Sequence, residues 1–326
     1  MSGRFEHQVH IDNVVKNNLD CSPKILKEYF KRSSGLQASS RHVMINNVKR
    51  FFSYYEEKGI NVNNNDWLKN ITADDITDYF FEIKTRPMKN GKTKILSEST
   101  IASMLAYLDN FFEFLIKQNI IDVNPVEEAK DYFPKYKIRK KVVYMTKEEV
   151  VTVKNRIIKE SNYPKRDLCI FMLGCRTGLR QSAITEIDIS DIDFEDMKIQ
   201  VVEKGNVYKD VLIDPDTVNL IRECIMERGD IPGEDALFVR FCKNGCKKRI
   251  TAWDMKNLLD TYAIDINKRI TPHKMRSTCA TNLYIQTGDI YAVADRLGHA
   301  NLENTKRYTD TVDKGRESAR IMGSLF

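Results

Sequence analysis

The sequence predicts a mainly α-helical protein of two domains, with a small antiparallel β-sheet in the second domain. Three observations predict it. The chain has 326 residues, and at about 150 residues per domain that is roughly two domains. Its first half repeats apolar residues at helical spacing and shows no strand-like alternation. Its second half contains two β-type runs, Lys198–Glu203 and Val207–Ile213, joined around Gly205-Asn206, which is a strong hairpin signal.

Residues 1–20 are polar and Asn-containing and read as a short tail. Residues 21–131 read as a helical bundle. In Ser39–Lys58, Met44, Val48, Phe51 and Tyr55 form one apolar stripe, and Gly59 stands where a helix-terminating residue belongs. Ile76, Tyr79, Phe80 and Ile83 repeat the stripe behind Thr72 and Asp75, a capping pair. Ile101, Met104, Leu105, Leu108, Phe112 and Leu115 mark a longer helix after Ser97. Between the last two helices lies KTRPMKNGKTK, with five basic residues (Lys84, Arg86, Lys89, Lys92, Lys94) and no acidic ones. It reads either as a solvated loop or as a basic finger lying against phosphate.

Residues 132–145 break the helical pattern at Pro134 and carry Lys135, Lys137, Arg139, Lys140 and Lys141, and we read them as a basic interdomain linker. Thr146-Lys-Glu-Glu149 then opens the second domain, 146–326, with a capping-box pattern. Helices are expected near 146–159, 164–175 and 181–187, followed by the hairpin and an edge strand at Ala236–Phe241. Further helices are expected near 251–262, 273–287, 289–296 and 301–308.

Composition bounds the function classes. Hydrophobic residues at 42% and charged residues at 30% place the chain among globular proteins rather than disordered ones. No apolar run approaches the roughly 20 residues of a membrane span, and the N-terminus shows no secretory pattern. Seven cysteines without paired spacing suit reduced thiols in the cytoplasm. Cys242 and Cys246 would need two more ligands to form a zinc site, so no metal is expected. Lys and Arg exceed Asp and Glu by 52 − 46 = 6, which permits a nucleic-acid partner without requiring one.

Four segments of the second domain are rich in groups that bind or transfer phosphate. Arg176-Thr-Gly-Leu-Arg180 sets Arg180 just after a glycine turn. Lys204 sits at the hairpin tip. In Thr271-Pro-His273-Lys-Met-Arg276, His273 and Arg276 are three apart on one helical face. Leu297-Gly-His299 is followed nine residues later by Tyr308, within Asn304-Thr-Lys-Arg-Tyr308. Singly, each reads as an ordinary surface or packing residue.

Taken together, in this order and spacing, Arg180, Lys204, His273, Arg276, His299 and Tyr308 resemble the catalytic set of the tyrosine recombinase (phage integrase-type) family. The resemblance covers about residues 146–310, and the helical first half resembles that family's core DNA-binding domain more weakly. It implies a two-domain clamp on double-stranded DNA that cuts and rejoins it through a 3′-phosphotyrosine formed by Tyr308. Arg180 and Arg276 would hold the transition-state charge, Lys204 would protonate the leaving 5′-oxygen, His273 would act as base and His299 as donor to the phosphate. The cations being side chains, no cofactor is implied. Partners implied are a homotetramer on two DNA sites and accessory DNA-bending or directionality factors, with no membrane. The implied location is cytoplasmic, on the nucleoid when bound to DNA.

The sequence departs from the family at Ala183, Ser277 and Asp310, where acidic, His and His residues are common. None belongs to the reacting set, so activity is expected to survive. With only about twenty residues before the first helical domain, no arm-binding domain is expected, and the Lys84–Lys94 stretch favours a mobile-element integrase. The alternatives are a Xer-like chromosome-dimer resolvase, a type IB topoisomerase and an inactive DNA-binding relative. The tail ends in Ile321, Met322, Leu325 and Phe326, one stripe of a short helix. The resemblance favours its docking on a neighbouring subunit over packing on its own.

Overall fold

The computed structural model describes residues 13–17, 19–87, 93–133, 142–203, 207–241, 247–298, 301–309 and 322, and at 86, 87, 93, 94, 203, 207 and 309 the backbone alone. Outside the described residues lie Lys89, Lys92, Lys135, Lys137, Arg139, Lys140, Lys141, Lys204, His299 and the Cys242/Cys246 pair. So do residues 1–12 of the expected N-terminal tail, and the C-terminal tail from residue 310, residue 322 apart. The chain divides into two compact units, Met1–Lys137 and Ile138–Phe326.

Against the expected polar tail over residues 1–20, residues 13–17 are helical and Val15 and Leu19, two apolar residues in a polar stretch, are buried in the first unit's core. The unit continues with helices α1 (Lys24–Arg32), α2 (Ala38–Glu57), α3 (Ala73–Ile83), α4 (Glu98–Lys117) and α5 (Pro125–Ala129). Local chemistry sets their ends. Thr72 and Asp75 form a reciprocal capping box on α3, and the Ser97 hydroxyl accepts from the Thr100 amide at the start of α4. Gly59 follows α2 at φ 83°, a left-handed conformation that glycine adopts without strain. The stripes anticipated on α2, α3 and α4 are all buried, and they meet around Phe51, whose ring stands edge-on to Tyr55, Tyr79 and Phe112. A second expectation is corrected in this unit. The basic stretch after α3 is not all loop and the unit is not purely helical, because β1 (Thr85–Pro87) pairs antiparallel with β2 (Thr93–Ile95). Strands of three residues, one ending in Pro, leave no visible alternation.

The second unit begins with α6 (Lys147–Glu160), opened by the expected Thr146/Glu149 capping box. Helices α7 (Pro164–Thr177) and α8 (Gln181–Thr185) follow, then β3 (Ile192–Asp193), β4 (Lys198–Glu203) and β5 (Val207–Leu212). These form one antiparallel sheet in the order β3-β4-β5, so β5 is an edge strand. Next come α9 (Pro215–Arg228), β6 (Val239–Phe241), β7 (Lys247–Arg249), α10 (Ala252–Tyr262), α11 (Pro272–Thr287), α12 (Ile290–Leu297) and α13 (Glu303–Thr309). Helix α7 is the hub, packing on α6, α9 and α11. At Gly174 an added Cβ would meet Met275 Cε at 2.7 Å, so the α7–α11 crossing is close.

Two expectations are corrected here. Helix α9 was not anticipated: its buried face includes Thr217 and Arg228 beside Val218, Ile221 and Cys224, and this mixed face hides the stripe. Arg228 is accommodated by donating to the carbonyls of Ala236 (2.8 Å) and Gly229 (2.9 Å). The expected edge strand Ala236–Phe241 is shorter. Val239–Phe241 pairs with Lys247–Arg249 in a separate sheet, while Ala236 makes an isolated bridge to Asp188. Among the described residues no helix is long and apolar enough to cross a membrane.

Candidate active site

Two helix C-termini meet in the second unit, and each is closed by a left-handed glycine: Gly178 after α7 and Gly298 after α12, both at φ 66°. At Gly178 the conformation and the space both demand glycine, because an added Cβ would stand 2.6 Å from Leu297 Cδ2 and 3.3 Å from Cys279 Sγ. Helix ends present carbonyls without intrahelical partners and carry negative dipole charge, so they attract cations. Here they collect three. Arg276 donates from Nη1 to the Gly178 carbonyl (2.6 Å) and from Nη2 to the Leu297 carbonyl (2.7 Å). Arg296 donates from Nη2 to the Arg176 carbonyl (2.9 Å) and from Nη1 to the Leu212 carbonyl on β5 (2.8 Å). Lys209 on β5 donates to the Asp295 carbonyl (2.7 Å).

Arg276 is 3% exposed. Burial, with the charge of Arg180 nearby, pushes its guanidinium down to about 10, which leaves it charged at neutral pH. The Tyr308 hydroxyl opposes that shift by hydrogen bonding to the Arg276 guanidinium. Tyr308 itself is 1% exposed, its ring packed with Val142, Ala280, Val293 and Leu297, while Arg307 lies over the ring at 5.6 Å. Arg180 is half-buried at the N-cap of α8. His273, exposed in the first turn of α11, lies within electrostatic reach of the same groups. Desolvation lowers its pKa, and Arg307, Arg276 and Arg180 lower it further, which favours the neutral imidazole.

Of the anticipated catalytic residues, Arg180, His273, Arg276 and Tyr308 therefore share one neighbourhood. The two strands flanking residue 204 end at Glu203 and Val207 in register, and α12 stops at Leu297, two positions before residue 299. In the first unit Lys84 is exposed, and Arg86 lies directly across the β1–β2 pair from Lys94. Arg296 and Lys209, with their carbonyl partners, were not anticipated. Arg296 carries a weak signal, being joined to the Leu297-Gly-His299 run. Lys209 carries none, since a lysine on an edge strand is ordinarily solvated. Among the described residues no group of three His, Cys, Asp or Glu side chains could hold a metal ion.

The phage integrase family model matches residues 144–314, slightly over half of the chain. The tyrosine recombinase XerS of Streptococcus gordonii is 25% identical over 341 aligned positions, spanning 91% of this chain and 94% of the relative. XerS of Streptococcus pneumoniae is likewise 25% identical over 338 positions. In fold, the chain is similar to the XerH site-specific recombinase bound to palindromic difH substrate, with a TM-score of 0.65, 22% identity and coverage of 93% of this chain and 85% of that one. It is also similar to a Tn1549 transposon integrase fragment in complex with transposon right end DNA, with a TM-score of 0.66, 19% identity and coverage of 93% and 98%.

Proposed function

The chain belongs to the phage integrase family, and from that premise we propose that it is a site-specific recombinase that cuts and rejoins double-stranded DNA through Tyr308. One observation carries the reading. The Tyr308 hydroxyl is bonded to Arg276, a guanidinium anchored on two helix-end carbonyls, beside Arg180 and His273, whose charged form the surroundings disfavour.

In this reading the Tyr308 oxygen attacks the scissile phosphorus and its phenolic proton passes to His273, whose unprotonated ring accepts it. The pentavalent transition state gathers charge on its non-bridging oxygens, and Arg180 and Arg276, the latter held beforehand on two helix-end carbonyls, stabilise it. The P–O5′ bond breaks, Lys204 protonates the departing oxygen and His299 donates to the phosphate. The phosphodiester energy is kept in the 3′-phosphotyrosine. Attack by a 5′-hydroxyl from the partner strand reverses each transfer and restores the phenol. The enzyme works as a homotetramer on two sites in the cytoplasm, and Lys84, Arg86, Lys89, Lys92, Lys94 and the basic run Lys135–Lys141 contact backbone phosphates.

The element served is a mobile one, on the argument from the extra basic hairpin in the first unit. The match to XerS proteins over 91% of this chain supports a chromosome-dimer resolvase as the second reading. Incubating wild-type and Tyr308→Phe protein with labelled cellular DNA fragments tests the reaction. A protein–DNA band on a denaturing gel is expected for the wild type alone, and its persistence in the variant would remove Tyr308 as nucleophile. Mapping the trapped sites decides the element, and recombinant products rather than relaxed circles separate a recombinase from a topoisomerase.

A further inference from the structure

We propose that Lys209 is a positioning residue for strand cleavage: with Arg296 it latches the edge strand of the β4–β5 hairpin to the end of α12, holding hairpin and arginine cluster in register. The inference rests on the recombinase reading above.

The bonds between the two elements are reciprocal. Lys209 on β5 reaches the Asp295 carbonyl at the end of α12 (2.7 Å), and Arg296 on α12 reaches the Leu212 carbonyl on β5 (2.8 Å). Each element thus presents a cation to the other's backbone. Leu212 is the last residue of an edge strand, where carbonyls lack a sheet partner, and the Asp295 carbonyl lies in the last turn of a helix, where the dipole favours a cation. The same helix end accepts from Arg276 through Leu297, and Arg296 extends the chain of contacts to the Arg176 carbonyl (2.9 Å), two residues before Gly178. Displacing β5 relative to α12, which anchors Arg276, therefore breaks both bonds of the latch.

The location is unfavourable for a lysine with no task. Burial holds the Lys209 ammonium below the ordinary lysine range, Asp295 opposes that, and Arg276, Arg296 and Arg180 deepen it. A surface-seeking lysine would turn outward to water. Lys204, the proposed proton donor, follows Glu203 at the end of β4 in sequence, so the register of β5 on β4 sets where the strand before that donor ends. A misplacement on the 1 Å scale at a reacting group costs on the order of 10²-fold in rate.

The test uses full-length protein and a nicked suicide substrate, on which cleavage is irreversible. Wild type and Tyr308→Phe come first. An adduct in the former alone sustains the recombinase reading, and its absence from the wild type overturns that reading and the latch's role with it. Lys209→Met keeps the stem and removes the ammonium. On saturating DNA it should cleave about 10- to 10²-fold more slowly, with DNA affinity and melting temperature unchanged, and Lys209→Arg should restore most of the rate. Arg296→Lys can serve one of its two carbonyl partners but not both, so it should also slow cleavage. Combined with Lys209→Met it should add little, because both break one latch. Wild-type cleavage by Lys209→Met overturns the proposal. So does a loss confined to affinity and salt dependence, which would make Lys209 a phosphate contact. Fully multiplicative effects of the two substitutions overturn it as well.

Discussion

Tyr308 serves two purposes that substitution can separate. Its ring fills a small apolar cluster with Val142, Ala280, Val293 and Leu297, while its hydroxyl meets Arg276. Tyr308→Phe removes only the oxygen and should leave the unfolding midpoint near wild type. Tyr308→Ala empties a site only 1% exposed, and deleting a buried aromatic ring destabilises by on the order of 3 kcal/mol. Urea unfolding of the two variants checks this; equal midpoints would mean the ring does not pack as described. His273 gives a second measurement. Its pKa is lowered by desolvation first and by Arg307 next, so its imidazole NMR titration should fall below the free-histidine value of about 6.5. Removing a neighbouring positive charge relieves repulsion of the imidazolium, so Arg307→Ala should move the midpoint up, and an unchanged midpoint would exclude Arg307 as a cause. Because the folded pKa is depressed, protonation favours the unfolded chain, and His273's contribution to stability falls as pH drops through and below the unfolded value.

At the scale of elements, the glycine between α7 and α8 controls the site more tightly than any single contact. Gly178→Ala places a Cβ 2.6 Å from Leu297 Cδ2 at a φ of +66°. The left-handed conformation alone costs an alanine about 1–2 kcal/mol, and Leu297, whose carbonyl anchors Arg276, must also move. Cleavage by folded Gly178→Ala should therefore fall beyond what its lowered melting temperature accounts for. Gly174→Ala is the control. Its nearest neighbour is the far end of Met275 at 2.7 Å, a flexible side chain that can yield, so its activity should be near wild type; equal losses in both would show that helix packing alone is at stake. These elements differ in how legible they were. The capping boxes at Thr72/Asp75 and Thr146/Glu149 and the stripes through Phe51, Ile76 and Leu108 involve neighbours in sequence, so pattern and structure agree. Helix α9 escaped because Thr217 and Arg228 occupy its buried face, and the β1–β2 pair and β7, the partner of the expected strand β6, because three-residue strands carry no period. The gathering of Arg180, His273, Arg276 and Tyr308 was implied by the resemblance their motifs carry, but the carbonyls that hold Arg276, Arg296 and Lys209 could not be inferred. Any residue has a carbonyl, and only tertiary structure shows which ones are left over at a helix end.

At the scale of the whole molecule, a net charge of +6 is too small to explain DNA binding by general attraction, so its distribution must matter. Two proposed contact regions are dense in cations: Lys84, Arg86, Lys89, Lys92 and Lys94 around the β1–β2 hairpin, and Lys135, Lys137, Arg139, Lys140 and Lys141 between α5 and α6. Arg86 and Lys94 are backbone partners across the β1–β2 pair. Each phosphate contact releases counterions and steepens the logarithmic salt dependence of binding by about 0.9. Replacing Arg86, Lys89, Lys92 and Lys94 by Gln should flatten that slope, and replacing the five residues of the second region should flatten it separately. If the regions touch different phosphates, the combined variant should lose the sum of the two changes. Cleavage on saturating DNA at low salt should survive in all three, since no reacting group is altered. A salt slope equal to wild type in either variant would remove that region from the DNA interface. A loss of cleavage at saturation would place its residues in the chemistry rather than in binding.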